Sequence, residues 1–245
     1  MFPIGDDNSE ITITPYVNYG LIAVNILVFL LLQQAGYNDH FTYAFSLVPK
    51  EIMTGHDLAG TEFIRDMSGQ VIGKITLEPT PFSVYITLLS SMFMHGGFMH
   101  IAGNMLFLWI FGDNIENRIG HVRYLVFYLI CGFLAATGQI VMDTGSTIPM
   151  LGASGAISGV LGGYILLFPN NRVRALIFNF FTTVPAFVAV GLWIALQVIE
   201  SYVDSGEGGV AYAAHIGGFL GGLILIKIFA IGTGGKYLPP KYGDN

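Results

Sequence analysis

Arg123-Tyr-Leu-Val-Phe-Tyr-Leu-Ile-Cys-Gly-Phe-Leu-Ala-Ala-Thr-Gly-Gln-Ile-Val-Met-Asp143 places 19 uncharged residues between one cation and one anion. At ~1.5 Å of rise per residue, about 20 helical residues cross the hydrocarbon core of a bilayer. An ionised side chain at mid-bilayer costs on the order of 2.5–3.5 kcal/mol, so this stretch reads as a spanning helix. Charge is also absent between Glu10 and Asp39, Glu78 and Asp113, Asp143 and Arg172, Arg174 and Glu200, and Glu207 and Lys227, each interval holding at least 19 residues. The expected architecture is an all-α membrane protein, a polytopic bundle of six transmembrane helices. They are expected near 16–34, 98–115, 122–142, 154–168, 184–203 and 211–230, in one domain over 1–245.

Composition agrees. The chain is 53% hydrophobic and 11% charged, against roughly 25% charged residues in a soluble domain. That excludes a soluble enzyme with a polar exterior and a disordered chain. A net charge of −6 argues against nucleic acid as a partner. The single cysteine, Cys131, excludes an intramolecular disulfide and a multi-cysteine zinc site.

Orientation follows from the basic residues. Arg118 and Arg123 flank the second connection, Arg172 and Arg174 lie in the fourth, and Lys227, Lys236 and Lys241 mark the tail. The third and fifth connections carry Asp143, Glu200, Asp204 and Glu207 without Lys or Arg. Both termini are therefore expected in the cytoplasm of a cell (inner) membrane. The acidic N-terminal stub (Asp6, Asp7, Glu10) has no basic region of the secretory-signal type, so the first helix is expected to be retained. The long connection 35–97 is expected to form interfacial helices or a hairpin on the outer leaflet, since a structureless loop of that length is unusual. The apolar run 175–183 before Pro185 reads as an interfacial lead-in to the fifth helix.

Three contexts hold polar side chains among apolar neighbours: His100-Ile-Ala-Gly-Asn104, Gly152-Ala-Ser154-Gly155 and His215-Ile-Gly-Gly218-Phe-Leu-Gly-Gly222. The second, fourth and sixth helices run in the same direction, so His100, Ser154 and His215 fall at similar depth in the outer half of the membrane. Asn104 lies one turn from His100 on the same face. Stripes of small residues, Ser154, Ser158 and Gly162 on the fourth helix and Gly218 and Gly222 beside His215 on the sixth, would let the two backbones approach. A serine becomes a nucleophile when a neutral imidazole takes its proton. No acidic residue accompanies His215, which favours a Ser–His dyad over a triad. Ser154 opens a helix, where free amides and the positive dipole end can meet an oxyanion. His100 and Asn104 can add donors. Each motif also has a plainer reading: Gly-x-Ser-Gly as packing, His100 with Asn104 as an interhelical pair, His95 as an interfacial residue, and Trp109 and Trp193 as packing or anchoring groups.

Together these motifs resemble the rhomboid family of intramembrane serine proteases over roughly residues 80–230. The likeness lies in His100 to Asn104, Gly152 to Gly155, Ala214 to Gly222 and the Glu-x-Arg-x-Gly segment Glu116-Asn-Arg118-Ile-Gly120. It implies Ser154 as nucleophile and His215 as general base. His100, Asn104 and the Ser154 amide would bind the oxyanion, and Glu116 and Arg118 would brace the cytoplasmic end of the second helix. The implied reaction is cleavage of transmembrane protein substrates within the lipid bilayer, with no metal and no cofactor. Two features depart from the family pattern. Ser158 stands where some members carry an aromatic residue that stacks on the base, and neither tryptophan lies in the first loop. What orients His215 is therefore left open. Hydrolysis needs water, so the site is expected to open to the outer face, with the fifth helix and loop 204–210 as moving parts. A catalytically silent membrane-client-binding protein on the same scaffold is the alternative. A proton or ion transporter would need charged partners in the bundle and repeated halves, which the sequence lacks.

Overall fold

The structure, a computed structural model, describes residues 2–65, 68–177, 180–203 and 210–233. Asp204 and Glu207, the tail lysines Lys236 and Lys241, and all but Val210 of the loop 204–210 lie outside the described residues.

The molecule is mainly helical. In chain order, strand β1 (Phe2–Gly5) precedes helix α1 (Tyr16–Leu27), which continues as a π-helical turn over Val28–Leu32. Then come α2 (Asp39–Ala44), α3 (Pro49–Thr54), the hairpin β2 (Gly60–Arg65) and β3 (Val71–Leu77), and α4 (Thr87–Ser90). Three long helices follow, α5 (Phe98–Ile119), α6 (His121–Met142) and α7 (Ser154–Leu167). The hairpin β4 (Arg172–Ile177) and β5 (Phe180–Pro185) leads into α8 (Ala186–Val203) and α9 (Tyr212–Phe229).

All six apolar stretches are thus helical. By length and composition, α6 and α9 are each long and apolar enough to cross a membrane, while Tyr16–Leu32, Ser154–Leu167 and Ala186–Tyr202 are shorter apolar helices. The long connection contains both expected kinds of element, short helices and a hairpin. One correction applies. Two small antiparallel sheets accompany the helices, so the fold is not purely α. The run 175–183 enters α8 as part of a hairpin, its described residues belonging to β4 and β5 in a sheet of order β1-β4-β5. Its pattern explains this: Val173 and Ala175 are buried and alternate with exposed Arg172 and Arg174, the period of two that a strand requires.

The short helix α7 sits at the centre. Every residue from Gly155 to Tyr164 is buried, enclosed by α5, α6, α8 and α9. Its closest partner is α9. A Cβ on Gly222 would overlap the Gly159 carbonyl oxygen, and one on Gly162 would overlap that of Phe219. The contact face on α7 is therefore Gly155, Gly159 and Gly162, one residue round from the expected Ser154 and Ser158. Ser158 instead donates to the Ser154 carbonyl at 2.6 Å.

The far end of α5 is tied down by buried polar groups. Glu116 is fully buried, and its carboxylate accepts from the Val17 amide at 3.0 Å and the Asn18 amide at 2.7 Å, capping the first turn of α1. It also meets the His121 ring. Arg118 donates to the Thr233 hydroxyl at 2.8 Å. Because these groups are satisfied inside the protein, α5 runs on to Ile119 rather than stopping near 115. Gly120, at φ +83°, then turns the chain directly into α6, a conformation that favours glycine. Nearby, Asp6 accepts from Tyr164 at 2.5 Å and Asn114 at 2.8 Å, fixing the N-terminal segment to α7 and α5.

Candidate active site

At the opposite end of the bundle, α5, α6, α7, α8 and α9 surround an open cavity of about 910 Å³. Ser154 enters it as the first residue of α7, and His215 lies one turn into α9. Direct glycine contacts between these helices set their spacing, and His215 Nε2 lies 2.8 Å from Ser154 Oγ. Both residues are half-buried and line the cavity.

His100 and Asn104 project from consecutive turns of α5 into the same cavity. The Gly96 amide donates to His100 Nδ1 at 3.3 Å. In the neutral ring this leaves the proton on Nε2, the nitrogen facing Gly152. Asn104 Nδ2 is buried without a partner among the described residues. A Cβ on Gly152 would stand 2.8 Å from His100 Nε2 and 3.6 Å from Asn104 Nδ2, so the two donors converge beside Gly152. Its φ of +124° and its lack of a side chain allow that approach. The Gly152 amide donates to the Ser91 carbonyl at 2.8 Å, fixing the loop before α7.

The expected residues therefore divide into three groups. Ser154, His215, His100, Asn104, Gly152 and Gly155 line one cavity. Gly218 and Gly222 lie behind it, in the α7–α9 contact, and Glu116 and Arg118 lie at the other end of α5. His95 is buried, 1% exposed, and in ring contact with His100 at 5.2 Å. The side chain of Gln33 clamps its backbone, accepting from its amide at 2.9 Å and donating to its carbonyl at 2.8 Å. Burial, with His100 beside it, pushes the His95 imidazole down to about 3, so it stays neutral.

Two contributors had no sequence motif. Gln197 Oε1 lies 2.5 Å from His215 Nδ1, and the Trp193 ring lies 5.9 Å from the His215 ring, tilted by 40°. Both come from α8 at i and i+4. The signal available was helical phase: Val190, Trp193, Ile194 and Gln197 form the less exposed stripe of α8 between exposed Leu192, Leu196 and Ile199. Chemically, the site offers a hydroxyl at a helix N-terminus and next to an imidazole nitrogen, with two side-chain donors lining the same cavity.

Residues 83–231 match the family profile described as Rhomboid domain. The chain belongs to the rhomboid family. Among its curated relatives is the Bacillus subtilis Rhomboid protease GluP, 31% identical over 150 residues, which cover 61% of this chain and 27% of the relative. The mitochondrial Rhomboid protein 1 of Saccharomyces cerevisiae is 32% identical over 147 residues, covering 57% and 40%. The human Presenilin-associated rhomboid-like protein, mitochondrial, is 31% identical over 208 residues, covering 83% and 46%. The chain spans less than half the length of each of these relatives. Rhomboid proteins are integral membrane proteins, in keeping with the apolar helices described above.

Proposed function

We propose that this rhomboid protein is a serine-type endopeptidase that hydrolyses peptide bonds in or near transmembrane segments of membrane proteins. The observation that carries the reading is the 2.8 Å approach of His215 Nε2 to Ser154 Oγ within an open cavity. In this reading residues 1–245 form one membrane domain with six spans, α1 and α5 to α9. Both termini are cytoplasmic, and the cavity faces the outer side of the cell membrane. The basic residues at the Glu116 end and the acids Asp143 and Glu200 beside the cavity support that orientation.

The chemistry follows from the donors and acceptors. Ser154 Oγ attacks the scissile carbonyl carbon while His215 Nε2 takes the hydroxyl proton. The carbonyl oxygen becomes an oxyanion, met by His100 Nε2–H, the Asn104 amide and the Ser154 backbone N–H. The imidazolium then gives its proton to the leaving nitrogen, the C–N bond breaks, and Ser154 holds the acyl group as an ester. Water attacks the ester as His215 takes its proton, and that proton returns to Oγ when the C–O bond breaks. A continuous substrate helix shields its peptide bonds, so segments with small, helix-weakening residues near the outer end of a span are the preferred substrates. With its exposed outer face, α8 is the moving wall through which they enter.

A fluorophosphonate probe tests the reading. Covalent labelling of wild type that is lost in Ser154→Ala and His215→Ala, with cleavage of tagged single-span proteins lost in parallel, supports the protease. Folded wild type that neither labels nor cleaves would identify the silent client-binding alternative.

A further inference from the structure

We infer that Gln197 of α8 is a positioning residue that holds the His215 ring, with Trp193 one turn earlier closing one side of it. The inference rests on the proposed role of His215 as base, and it supplies what the sequence leaves open, the group that orients that ring.

The argument starts from the two ring nitrogens. A neutral imidazole carries one proton, and a base facing Ser154 must keep Nε2 free of it. Nε2 is 2.8 Å from Ser154 Oγ, and Nδ1 is 2.5 Å from Gln197 Oε1. An amide oxygen is only an acceptor, so Nδ1 must carry the proton and Nε2 is left with its lone pair. This is the arrangement a carboxylate imposes in a three-residue site, reached here with a neutral group, as suits a half-buried position in an apolar bundle where a lone anion would be costly. Rotation of the ring is further restricted by Trp193, whose ring packs against both His215 and Phe107. Ser158 cannot do this, since its hydroxyl is buried and turned back onto the Ser154 carbonyl. The aromatic wall and the acceptor both come from α8, so the helix that borders the cavity also aligns the base.

The test measures the tautomer directly and the rate separately. Histidine side-chain nitrogen resonances are recorded in micelles, with His215 assigned by its loss in His215→Ala. They should show Nδ1 protonated and Nε2 bare in wild type, and a mixture in Gln197→Leu and Gln197→Met, which keep an apolar side chain of similar bulk but lack the amide oxygen. The same two variants should label with a fluorophosphonate about tenfold more slowly, the size expected for one neutral hydrogen bond. The loss should fall on kcat rather than KM for a tagged single-span substrate. Gln197→Glu, which restores an acceptor oxygen, should recover most of the rate. Wild-type tautomer and wild-type labelling in both Leu and Met variants would overturn the positioning role while leaving the protease intact. A wild type that never labels, but whose His215 tautomer depends on Gln197, would sink the protease and leave the positioning contact standing.

Discussion

Gly222 of α9 rests directly on the carbonyl oxygen of Gly159 of α7, with no side chain between the two backbones. A methyl group at 222 would overlap that oxygen, the Gly159 carbonyl carbon at 2.6 Å and its Cα at 2.7 Å. Backbone atoms cannot swing aside as a side chain does. Gly222→Ala should therefore force α9 off α7 and cost about 1–3 kcal/mol, the usual range for overpacking. Thermal unfolding in micelles reads the loss, with Ser154 labelling falling in parallel as the 2.8 Å contact opens. Gly191 of α8 is the control: a Cβ there meets nothing within 4 Å, so Gly191→Ala should be neutral or stabilise by up to ~1 kcal/mol. Equal melting temperatures for the 222 and 191 variants would contradict the steric account.

Asn104→Ala should remove a donor without disturbing the fold, because its Nδ2 has no partner among the described residues whose loss would need compensating. The expected effect is a fall in kcat of about 10²–10³-fold, with the melting temperature retained. A variant that loses stability instead, and keeps its turnover per folded molecule, would place Asn104 in the architecture rather than the chemistry.

Glu116→Ala should be among the most destabilising single changes. The carboxylate is fully buried and accepts two backbone amides of α1. Removing it leaves two donors at a helix N-terminus unpaired, each costing about 1–3 kcal/mol. Amide exchange in the first turn of α1 should accelerate before exchange elsewhere. Protection equal to wild type at Val17 and Asn18 would refute the capping role.

Asp6 gives the molecule a pH dependence of defined sign. Burial raises its carboxyl to about 7 from the ordinary 3.8; the bond from Tyr164 opposes the rise, and Asp113 and Asp7 add to it. Between these two values the folded protein holds a proton that the unfolded chain has lost. Stability should therefore fall as pH rises from about 4 to about 7, by on the order of 4 kcal/mol, and level off above. Asp6→Asn removes the carboxylate charge while keeping an acceptor oxygen for Tyr164. Its melting curve should lie above wild type at pH 8, with the gap closing towards pH 4. Parallel curves across that range would show that Asp6 ionises freely in the fold.

Much of this site is legible in the sequence because its signals are local. Ser154 stands in Gly152-Ala-Ser154-Gly155 at a helix start, His215 lies one turn into a glycine-rich helix, and three helices of common direction bring them to one level. The parts that escape depend on long-range partners. Strand β4 carries a local alternation, but its place in a sheet depends on β1, more than 150 residues earlier in the chain, where Phe2 pairs with Leu176. The burial of His95 is not visible locally, because the group that clasps its backbone, Gln33, comes from the turn after α1. Gln197 is an uncharged residue in an apolar helix, and nothing short of the rotational phase of α8 against α9 reveals that it faces His215. The α7–α9 seam was displaced by one residue for a related reason: spacing shows which small residues share a face, but not which face the neighbour occupies.

The pairing of β1 with β4 has a practical side. The first strand forms one edge of a three-stranded sheet whose other edge, β5, ends at Pro185, where α8 begins. Trimming residues 2–5, or fusing a bulky partner immediately before them, would disturb the footing of the helix that carries Trp193 and Gln197. Purification handles for this protein belong at the other terminus, and a weakly active preparation tagged at the front should be retested without the tag before its turnover is taken as intrinsic.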